Sequence, residues 1–254
     1  MKKRVLIKIG SNTLTKETDQ ISRGKIEDIG RQLAALKDQY EFILVCSGAI
    51  ATAKQFVQLE HTGKDINVKQ ALAAIGQPRL MHIFQENFRE LGLFTSQCLF
   101  SYSDLQDDKS RQNIKNTIDV LLQNNVVPII NENDTVATEE IKFGDNDKLA
   151  AYTAAFLEAD LLIIATNTNG VYSKASMEKG TPETILEVRD LQAMQKEIST
   201  TKSSHGTGGM QSKIEASAIA QEAHIETWIV NGLLDNFILD SFNATQPFTK
   251  IIAT

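Results

Sequence analysis

The sequence predicts an α/β protein in which helices cover both faces of a central sheet, as a three-layer α/β/α sandwich. Short apolar runs alternate along the chain with longer segments of helical periodicity, which is the order expected of βαβ units. Two of these runs, residues 42–46 and 161–165, are almost continuously apolar, as is typical of strands buried on both faces. Because no internal repeat and no linker divides the chain, we expect a single domain over residues 1–254, with its two halves forming opposing lobes.

Four strands and their connecting helices are predicted in the first half of the chain. In order, these are a strand at 5–9, a helix at 22–36, a strand at 42–46, a short helix at 49–58, a helical segment at 68–91, a strand at 94–100, a helix at 109–123 and a strand at 126–130. The segment 68–91 contains Gly76, Gln77 and Pro78. Since proline removes an internal hydrogen bond, we expect a kink or two helices there.

The second half continues this alternation and then becomes more polar. A helix is predicted at 147–158, a strand at 161–165, a short strand at 185–188, a helix at 210–223 and late strands at 227–230 and 250–252. A small, polar, glycine-bearing loop at residues 199–209 precedes the last of these helices.

Composition and charge exclude several classes of protein. The apolar run at residues 5–9 is too short for a secretion signal or a membrane span, so we expect a soluble, cytoplasmic protein. The formal net charge is −6 and the lysines are scattered, which argues against a nucleic-acid partner but permits a small anionic ligand. Cys46 and Cys98 lie far apart in apolar runs, which favours buried thiols over a disulfide or a metal pair.

Residues suited to binding an anion follow the first two strands, and ligands of open α/β sheets bind at the carboxyl ends of the strands. Lys8 lies inside the first strand, where an ammonium group costs free energy unless it meets an anion or reaches water at a sheet edge. Gly10 lets a ligand approach the backbone. Ser47 and Gly48 offer a hydroxyl and backbone N–H groups at the start of a helix, although a serine there is also an ordinary N-cap.

Two polar patches follow the fourth strand, at residues 131–134 (Asn-Glu-Asn-Asp) and 142–148 (Lys-Phe-Gly-Asp-Asn-Asp-Lys). The second patch comes directly before a helix, so Asp145 or Asn146 is also a candidate N-cap. Carboxylates among lysines suit a site that handles a magnesium nucleotide, because Mg²⁺ prefers hard oxygen ligands and lysines neutralise phosphate.

Two further segments are candidates for nucleotide binding. Thr166 and Asn167 end the fifth strand, where they can hydrogen-bond a base or a ribose. Residues 206–213 form a glycine-bearing loop with Lys213 one turn into the next helix, which can cradle phosphate; a flexible surface loop is the alternative. The G-x-x-x-x-G-K-[ST] motif and a G-x-G-x-x-G after a strand are both absent, which argues against a P-loop enzyme and a Rossmann dehydrogenase.

No side chain stands out as a general base, and the histidines show no metal-ligand spacing. A substrate carboxylate that acts as the nucleophile is already ionised at neutral pH and needs no base. Catalysis then consists of positioning two anions and neutralising the charge between them, which suits lysines.

Taken in order, these segments resemble the amino acid kinase family, and within it the glutamate 5-kinases. The resemblance extends over essentially the whole chain, and its most specific feature is the pairing of the Asn-Glu-Asn-Asp and Gly-Asp-Asn-Asp patches. The matching stretches are residues 8–11, 47–50, 131–134, 142–147 and 206–210, together with Lys213.

The resemblance implies a kinase that uses ATP and Mg²⁺ to phosphorylate the γ-carboxylate of L-glutamate to L-glutamyl 5-phosphate, the first step of proline biosynthesis. It implies a mainly parallel sheet of about eight strands, with the amino-acid site in the N-terminal half and the ATP site in the C-terminal half. Lys8 and Lys213 would stabilise the transferring phosphoryl group, and Asp147 would hold both lysines in place. The other implied residues are Ser47, Asp134 and Asn146 for glutamate, and Lys8, Thr166, Asn167, Thr207, Gly208, Gly209, Met210, Gln211, Ser212 and Lys213 for the nucleotide.

The sequence departs from the family in two places. Asn167 stands where relatives often carry aspartate, which keeps a hydrogen-bonding carbonyl and removes a charge. Many glutamate 5-kinases continue into a PUA domain that resembles RNA-binding modules, whereas this chain ends at Thr254, so we expect no PUA domain and no RNA contact. The resemblance also implies a homo-oligomer, a dimer or a tetramer, and feedback inhibition by proline. A kinase of the same fold acting on another small acid and a non-catalytic ligand sensor are the alternatives.

Overall fold

The computed structural model describes residues 2–59, 65–137, 146–195 and 209–253, and these contain one eight-stranded sheet. The strands are β1 (Lys3–Ile9), β2 (Tyr40–Cys46), β3 (Phe94–Phe100), β4 (Val126–Glu132), β5 (Leu161–Thr166), β6 (Glu187–Val188), β7 (Glu226–Asn231) and β8 (Thr249–Ile251). Their order across the sheet is β3-β4-β2-β1-β5-β7-β8-β6, and neighbouring strands are parallel except for β7 and β8. The predicted, mainly parallel sheet is confirmed.

Helices connect these strands. They are α1 (Ser11–Thr15), α2 (Arg23–Leu36), α3 (Ala49–Lys54), α4 (Ile66–Glu90), α5 (Tyr102–Gln106), α6 (Asp108–Gln123), α7 (Asp147–Phe156), α8 (Lys174–Glu178), α9 (Leu191–Gln195), α10 (Met210–Glu222) and α11 (Phe237–Asn243). The short helices α1, α5, α8, α9 and α11 add to the predicted elements, because segments of five to seven residues are too short to show a helical period. Among the described residues, no helix is both long and apolar enough to cross a membrane.

The strand order places β1 and β5 side by side in the middle of the sheet. Lys8 of β1 lies opposite Val45 of β2 on one side and opposite Ile164 of β5 on the other. Beyond β1 the sheet continues with strands from the first half of the chain, and beyond β5 with strands from the second half. In open α/β sheets, ligands bind where the strand order reverses in this way, at the carboxyl ends of the strands.

The side chains of β1 alternate between two hydrophobic cores. Val5, Ile7 and Ile9 are buried in a core shared with α2, α4 and α11. Leu6 is buried in a second core, shared with α6, α7 and α10. Because successive side chains of a strand point to opposite faces, Lys8 emerges on the same face as Leu6, towards α7 and α10. The two cores on either side of the sheet confirm the three-layer sandwich.

The segment that contains Pro78 forms one helix, α4, rather than two. Close packing against α3 explains the neighbouring glycine, because a Cβ atom at Gly76 would lie 1.8 Å from the carbonyl oxygen of Ala49. A side chain at that position would push the two backbones apart. Gly76 therefore sets the distance between α4 and the segment that follows β2.

Candidate active site

A carboxylate on α7 lies between two lysine ammonium groups at the carboxyl edge of the sheet. Oδ1 of Asp147 is 2.5 Å from Nζ of Lys8, and Oδ2 is 2.9 Å from Nζ of Lys213. Asp147 begins α7, Lys213 lies one turn into α10, and Lys8 precedes the last residue of β1. The exposed fractions of Lys8, Asp147 and Lys213 are 4%, 0% and 6%, so all three are buried. The structure therefore brings together the three residues predicted to be catalytic.

The electrostatics of this charged trio favour an anionic ligand. Burial by itself raises the pKa of the Asp147 carboxyl group, but the charges and hydrogen bonds of Lys8 and Lys213 outweigh it and hold the pKa below its usual range. Asp147 is therefore ionised at neutral pH, and the three side chains together carry one excess positive charge. An excess charge away from water interacts strongly with an anion that enters the site.

A cavity of about 630 Å³ adjoins the charged trio and is called the central cavity below. Its walls include Ser47, Asp134 and Asn146, the three residues predicted to bind glutamate. Ser11, two residues beyond the end of β1, and Asn146, which precedes Asp147, place the cavity beside the trio. The size and mixed charge of this cavity suit a small polar molecule.

Asp134 has an unusual environment in the wall of the central cavity. Burial, followed by the negative charge of Glu132, raises the pKa of the Asp134 carboxyl group from 3.8 to about 6. Glu132 also lines the cavity. Two carboxylates on one wall make that wall attractive to a cationic group of a ligand.

Ser47 and Gly48 lie at the turn between β2 and α3. Ser47 donates its backbone N–H to the carbonyl oxygen of Ile9, at 3.1 Å, which joins the ends of β1 and β2. The N-cap of α3 is Gly48, with φ +111°, and as a glycine it has no side chain to cap the helix. Ser47 is therefore not the N-cap serine that the sequence also permitted. It lines the central cavity instead.

Four side-chain amides form a continuous hydrogen-bonded chain from the sheet edge to the central cavity, called the amide chain below. Nε2 of Gln77 donates to Oε1 of Gln97 at 3.0 Å, and Nδ2 of Asn131 donates to Oε1 of Gln77 at 2.8 Å. Nδ2 of Asn146 donates to Oδ1 of Asn131 at 2.9 Å and to the carbonyl oxygen of Cys46 at 2.7 Å. Asn146 occupies the N-cap position of α7, yet its side chain makes no cap hydrogen bond. Asn146 is therefore the N-cap residue of α7, as the sequence permitted, but its side chain belongs to the amide chain and does not cap the helix.

The residues predicted to bind the nucleotide are only partly described. Thr166 is buried at the end of β5, and Gly209 is the N-cap of α10, followed by Met210, Gln211 and Ser212 in the first turn. Asn167 is exposed and donates its side-chain amide to Oε1 of Glu17 at 3.0 Å. Thr207 and Gly208, together with residues 142–145 of the second polar patch, lie outside the described residues.

Several residues around the central cavity are not among those predicted from the sequence. Glu17, Thr18 and Asp19 after α1, and Lys54 and Lys69 on α3 and α4, line the cavity. Their signal in the sequence is weak, because charged residues near helix ends are usually solvated. Glu17 also has a positive φ of +61°, which is uncommon for a residue other than glycine and is visible only in the structure.

Comparison with known proteins identifies relatives over most of the chain. A family model described as "Amino acid kinase family" matches residues 3–231. A protein named glutamate 5-kinase from Dehalococcoides mccartyi (strain CBDB1) is 37% identical over 98% of this chain, and the match covers 68% of that protein. Glutamate 5-kinases from Alkaliphilus oremlandii and Caldanaerobacter subterraneus are each 40% identical over 91% and 92% of this chain, and the matches cover 88% and 64% of those proteins.

Solved structures share the fold at lower sequence identity. A UMP kinase from Ureaplasma parvum superimposes with a TM-score of 0.66 at 19% identity, over 99% of both chains. A carbamate kinase from Giardia lamblia bound to AMP-PNP superimposes with a TM-score of 0.70 at 14% identity, over 99% of this chain and 98% of that one. At these identities the similarity concerns the fold alone.

Proposed function

The chain belongs to the amino acid kinase family, and we propose that it transfers the γ-phosphoryl group of ATP to the γ-carboxylate of L-glutamate. The product would be L-glutamyl 5-phosphate, which makes this the first step of proline biosynthesis. The observation that carries the proposal is the Asp147 carboxylate held between Lys8 and Lys213 beside the central cavity. A kinase of the same fold that acts on another small acid would differ in its phosphoryl acceptor, and a non-catalytic ligand sensor would transfer no phosphoryl group.

The proposed reaction places the γ-carboxylate of glutamate in line with the γ-phosphorus of ATP. The carboxylate attacks with its own electron pair, the bond between that phosphorus and the β,γ-bridging oxygen breaks, and ADP leaves. No proton has to be removed, because a carboxylic acid is ionised at neutral pH. Lys8 and Lys213 neutralise the charge shared by the attacking oxygen, the transferring group and the leaving oxygen.

Asp147 acts in this proposal through the lysines that it holds. Its two oxygens contact one ammonium group each, so both lysines are fixed about the same carboxylate. An ammonium group on a flexible side chain loses little further freedom when the anions bind, because it is already positioned. Asp147 is therefore a positioning residue, and the lysines are the catalytic residues.

The substrates are assigned to the two halves of the sheet. We assign glutamate to the central cavity, which is lined by Ser47, Asp134 and Asn146. We assign ATP to the carboxyl end of β5 and the start of α10, where Thr166, Asn167 and residues 207–213 would contact the nucleotide. The supporting geometry is the position of Lys213, one turn into α10, because loop amides and a lysine at the start of a helix suit phosphate.

Mg²⁺ is expected to accompany the phosphates of ATP and to add positive charge there. Among the described residues, no group of three or more histidine, cysteine, aspartate or glutamate side chains is arranged to hold a metal ion. Asp147 is engaged by two lysines. We therefore assign no described residue as a Mg²⁺ ligand.

A coupled assay of ADP release tests the proposed function directly. The purified chain is supplied with ATP, Mg²⁺ and L-glutamate, and we expect ADP release that depends on glutamate. Turnover of L-aspartate, N-acetyl-L-glutamate or carbamate without turnover of glutamate would favour a kinase for another acid. No turnover with any of them would favour a ligand sensor. Addition of proline tests the proposed feedback inhibition, and light scattering tests the proposed homo-oligomer.

A further inference from the structure

The amide chain contains a buried residue, Gln77, to which the proposed function gives no role. Gln77 lies inside α4 with 7% of its surface exposed, between the glycine that contacts α3 and the proline of that helix. Asn131 and Asn146 are buried as well, at 3% and 6%. Polar side chains at such depth are retained in proteins when their hydrogen bonds are satisfied.

Two backbone groups fix the positions of the oxygen and the nitrogen in the side-chain amides of Asn131 and Asn146. The backbone N–H of Glu132 lies 2.9 Å from Asn131, and because an N–H group only donates, the atom that faces it is Oδ1. The carbonyl oxygen of Cys46 lies 2.7 Å from Asn146, and because a carbonyl only accepts, the atom that faces it is Nδ2. The orientation of both amides therefore follows from backbone chemistry.

The remaining hydrogen bonds follow from these two. Since Oδ1 of Asn131 faces Glu132, its Nδ2 faces Gln77, whose oxygen accepts at 2.8 Å. The nitrogen of Gln77 then faces the exposed side chain of Gln97 on β3. In the other direction, Nδ2 of Asn146 uses its hydrogens on Asn131 and on the Cys46 carbonyl.

This arrangement leaves one atom of Asn146 for a ligand. Asn146 lines the central cavity, and its side chain does not cap α7. Among the described residues, the partners of its side chain, Asn131 and the Cys46 carbonyl, both engage the nitrogen, so Oδ1 is the atom that can meet a molecule in the cavity. An amide oxygen only accepts hydrogen bonds, so the ligand group that it binds must be a donor.

We propose that Gln77 is a positioning residue that acts through Asn131 to orient Asn146, so that Oδ1 of Asn146 accepts a hydrogen bond from the ammonium group of the substrate. The inference rests on the proposed function, because L-glutamate carries that ammonium group. The carboxylates of Glu132 and Asp134 in the same cavity complement a cation. The site therefore selects α-amino acids over dicarboxylic acids that lack the amino group.

Removing the acceptor at position 77 tests this inference. In Gln77→Leu, Nδ2 of Asn131 loses its partner, and a buried donor without a partner favours rotation of the amide. We expect the KM for L-glutamate to rise about tenfold, while the KM for ATP changes less than about twofold. We also expect the preference for L-glutamate over glutarate, measured as kcat/KM or as competitive inhibition, to fall by about tenfold.

Two variants serve as controls. Gln77→Glu keeps an oxygen where Nδ2 of Asn131 needs one, so the preference for L-glutamate should stay within about threefold of the wild type. Gln85→Leu makes the same substitution on the exposed face of the same helix and should leave the kinetics unchanged. An unchanged preference in Gln77→Leu, or a KM for ATP that rises as much as the KM for L-glutamate, would overturn the inference.

A measurement without substrate separates this inference from the proposed function. Inactivity of the wild type on L-glutamate would count against the proposed function alone. Hydrogen exchange of the side-chain amides of Asn131 and Asn146, followed by NMR, reports the amide chain directly. We expect slow exchange in the wild type and exchange at least about tenfold faster in Gln77→Leu. Equal exchange rates in the two proteins would sink the inference whatever the enzyme activity.

Discussion

Asn167 donates a hydrogen bond from its side-chain amide to the carboxylate of Glu17, at 3.0 Å, and so joins the end of β5 to the turn after α1. Glu17 lines the central cavity, and both it and Lys16 have positive φ values, 61° and 49°. Lys16 reaches the other way, to Asp235 at 3.2 Å. This turn on the first half of the chain is therefore held by two contacts from the second half.

Replacing Asn167 by aspartate should loosen this wall of the cavity. In Asn167→Asp the donor is lost and two carboxylates face each other, so we expect the KM for L-glutamate to rise about fivefold. Glu17→Gln in the same chain supplies a new donor and should return the KM to within about twofold of the wild type. Asn113→Asp on the exposed face of α6 is the matched control. If Asn167→Asp alone left the KM for L-glutamate unchanged, the contact between Asn167 and Glu17 would not have this role.

Removing one of the two ammonium groups should slow phosphoryl transfer without unfolding the chain. Lys213→Met keeps Asp147 paired with Lys8 but removes one charge from the transferring group, so we expect kcat to fall by about a hundredfold or more. Lys115→Met, which breaks an ion pair with Glu158 away from the trio, should retain wild-type kcat. The measurement is single-turnover ADP release, with circular dichroism to verify folding. A kcat within about twofold of the wild type would refute the proposed role of Lys213.

Asp134 should make substrate binding depend on pH and should lower stability when it is ionised. Its pKa is raised from 3.8 to about 6, so the folded chain binds this proton more tightly than the unfolded chain. The resulting destabilisation is absent below pH 3.8, develops as pH rises to about 6 and then stays constant, at up to about 3 kcal/mol.

Asp134→Asn should therefore be more stable than the wild type at about pH 8 and equally stable at about pH 3. Its KM for L-glutamate should be about tenfold higher than that of the wild type at about pH 8, where Asp134 is ionised, because the substrate ammonium loses a charged partner, and this difference should shrink as pH falls below about 6. In the wild type, the same KM should rise as pH falls below about 6. Urea titrations and steady-state kinetics measure both effects, with the exposed Asp38→Asn as control. Equal stability of Asp134→Asn and wild type at about pH 8 would show that the carboxylate is not destabilising.

Gly76→Ala should disturb the cavity from outside it. The added Cβ would lie 1.8 Å from the carbonyl oxygen of Ala49, so α3 must move, and we expect a loss of about 3 kcal/mol in the free energy of unfolding. The fluorescence of Trp228, the only tryptophan, reports unfolding in urea. Gly24→Ala has no atom within 4 Å of the added Cβ and should instead stabilise α2 by about 0.5 to 1 kcal/mol. Equal stability of the two variants would mean that the α3–α4 contact tolerates a methyl group.

The helices and strands can be predicted from the sequence because they depend on local patterns of apolar and polar residues. Continuous apolar runs predict β2 and β5, and helical periodicity predicts α2, α6 and α10. The polar residues at the strand ends can be predicted for the same reason, since Lys8 lies in a predicted strand and Ser47 and Asn146 each lie next to a predicted strand or helix. Residues 138–145 and 196–208, which contain part of the predicted site, lie outside the described residues.

The contacts that join these residues were decided by the tertiary structure alone. Lys213 and Asp147 are 66 positions apart, and Asn167 and Glu17 are 150 positions apart. The residues around each member of such a pair do not indicate that the two side chains meet. Their contact depends on the order of strands in the sheet and on which helices cover each face. The sequence by itself determined which residues carry charge and amide groups at the edge of the sheet. The parallel pairing of β1 with β5, and the close approach of α4 to α3, decided which of those groups share hydrogen bonds.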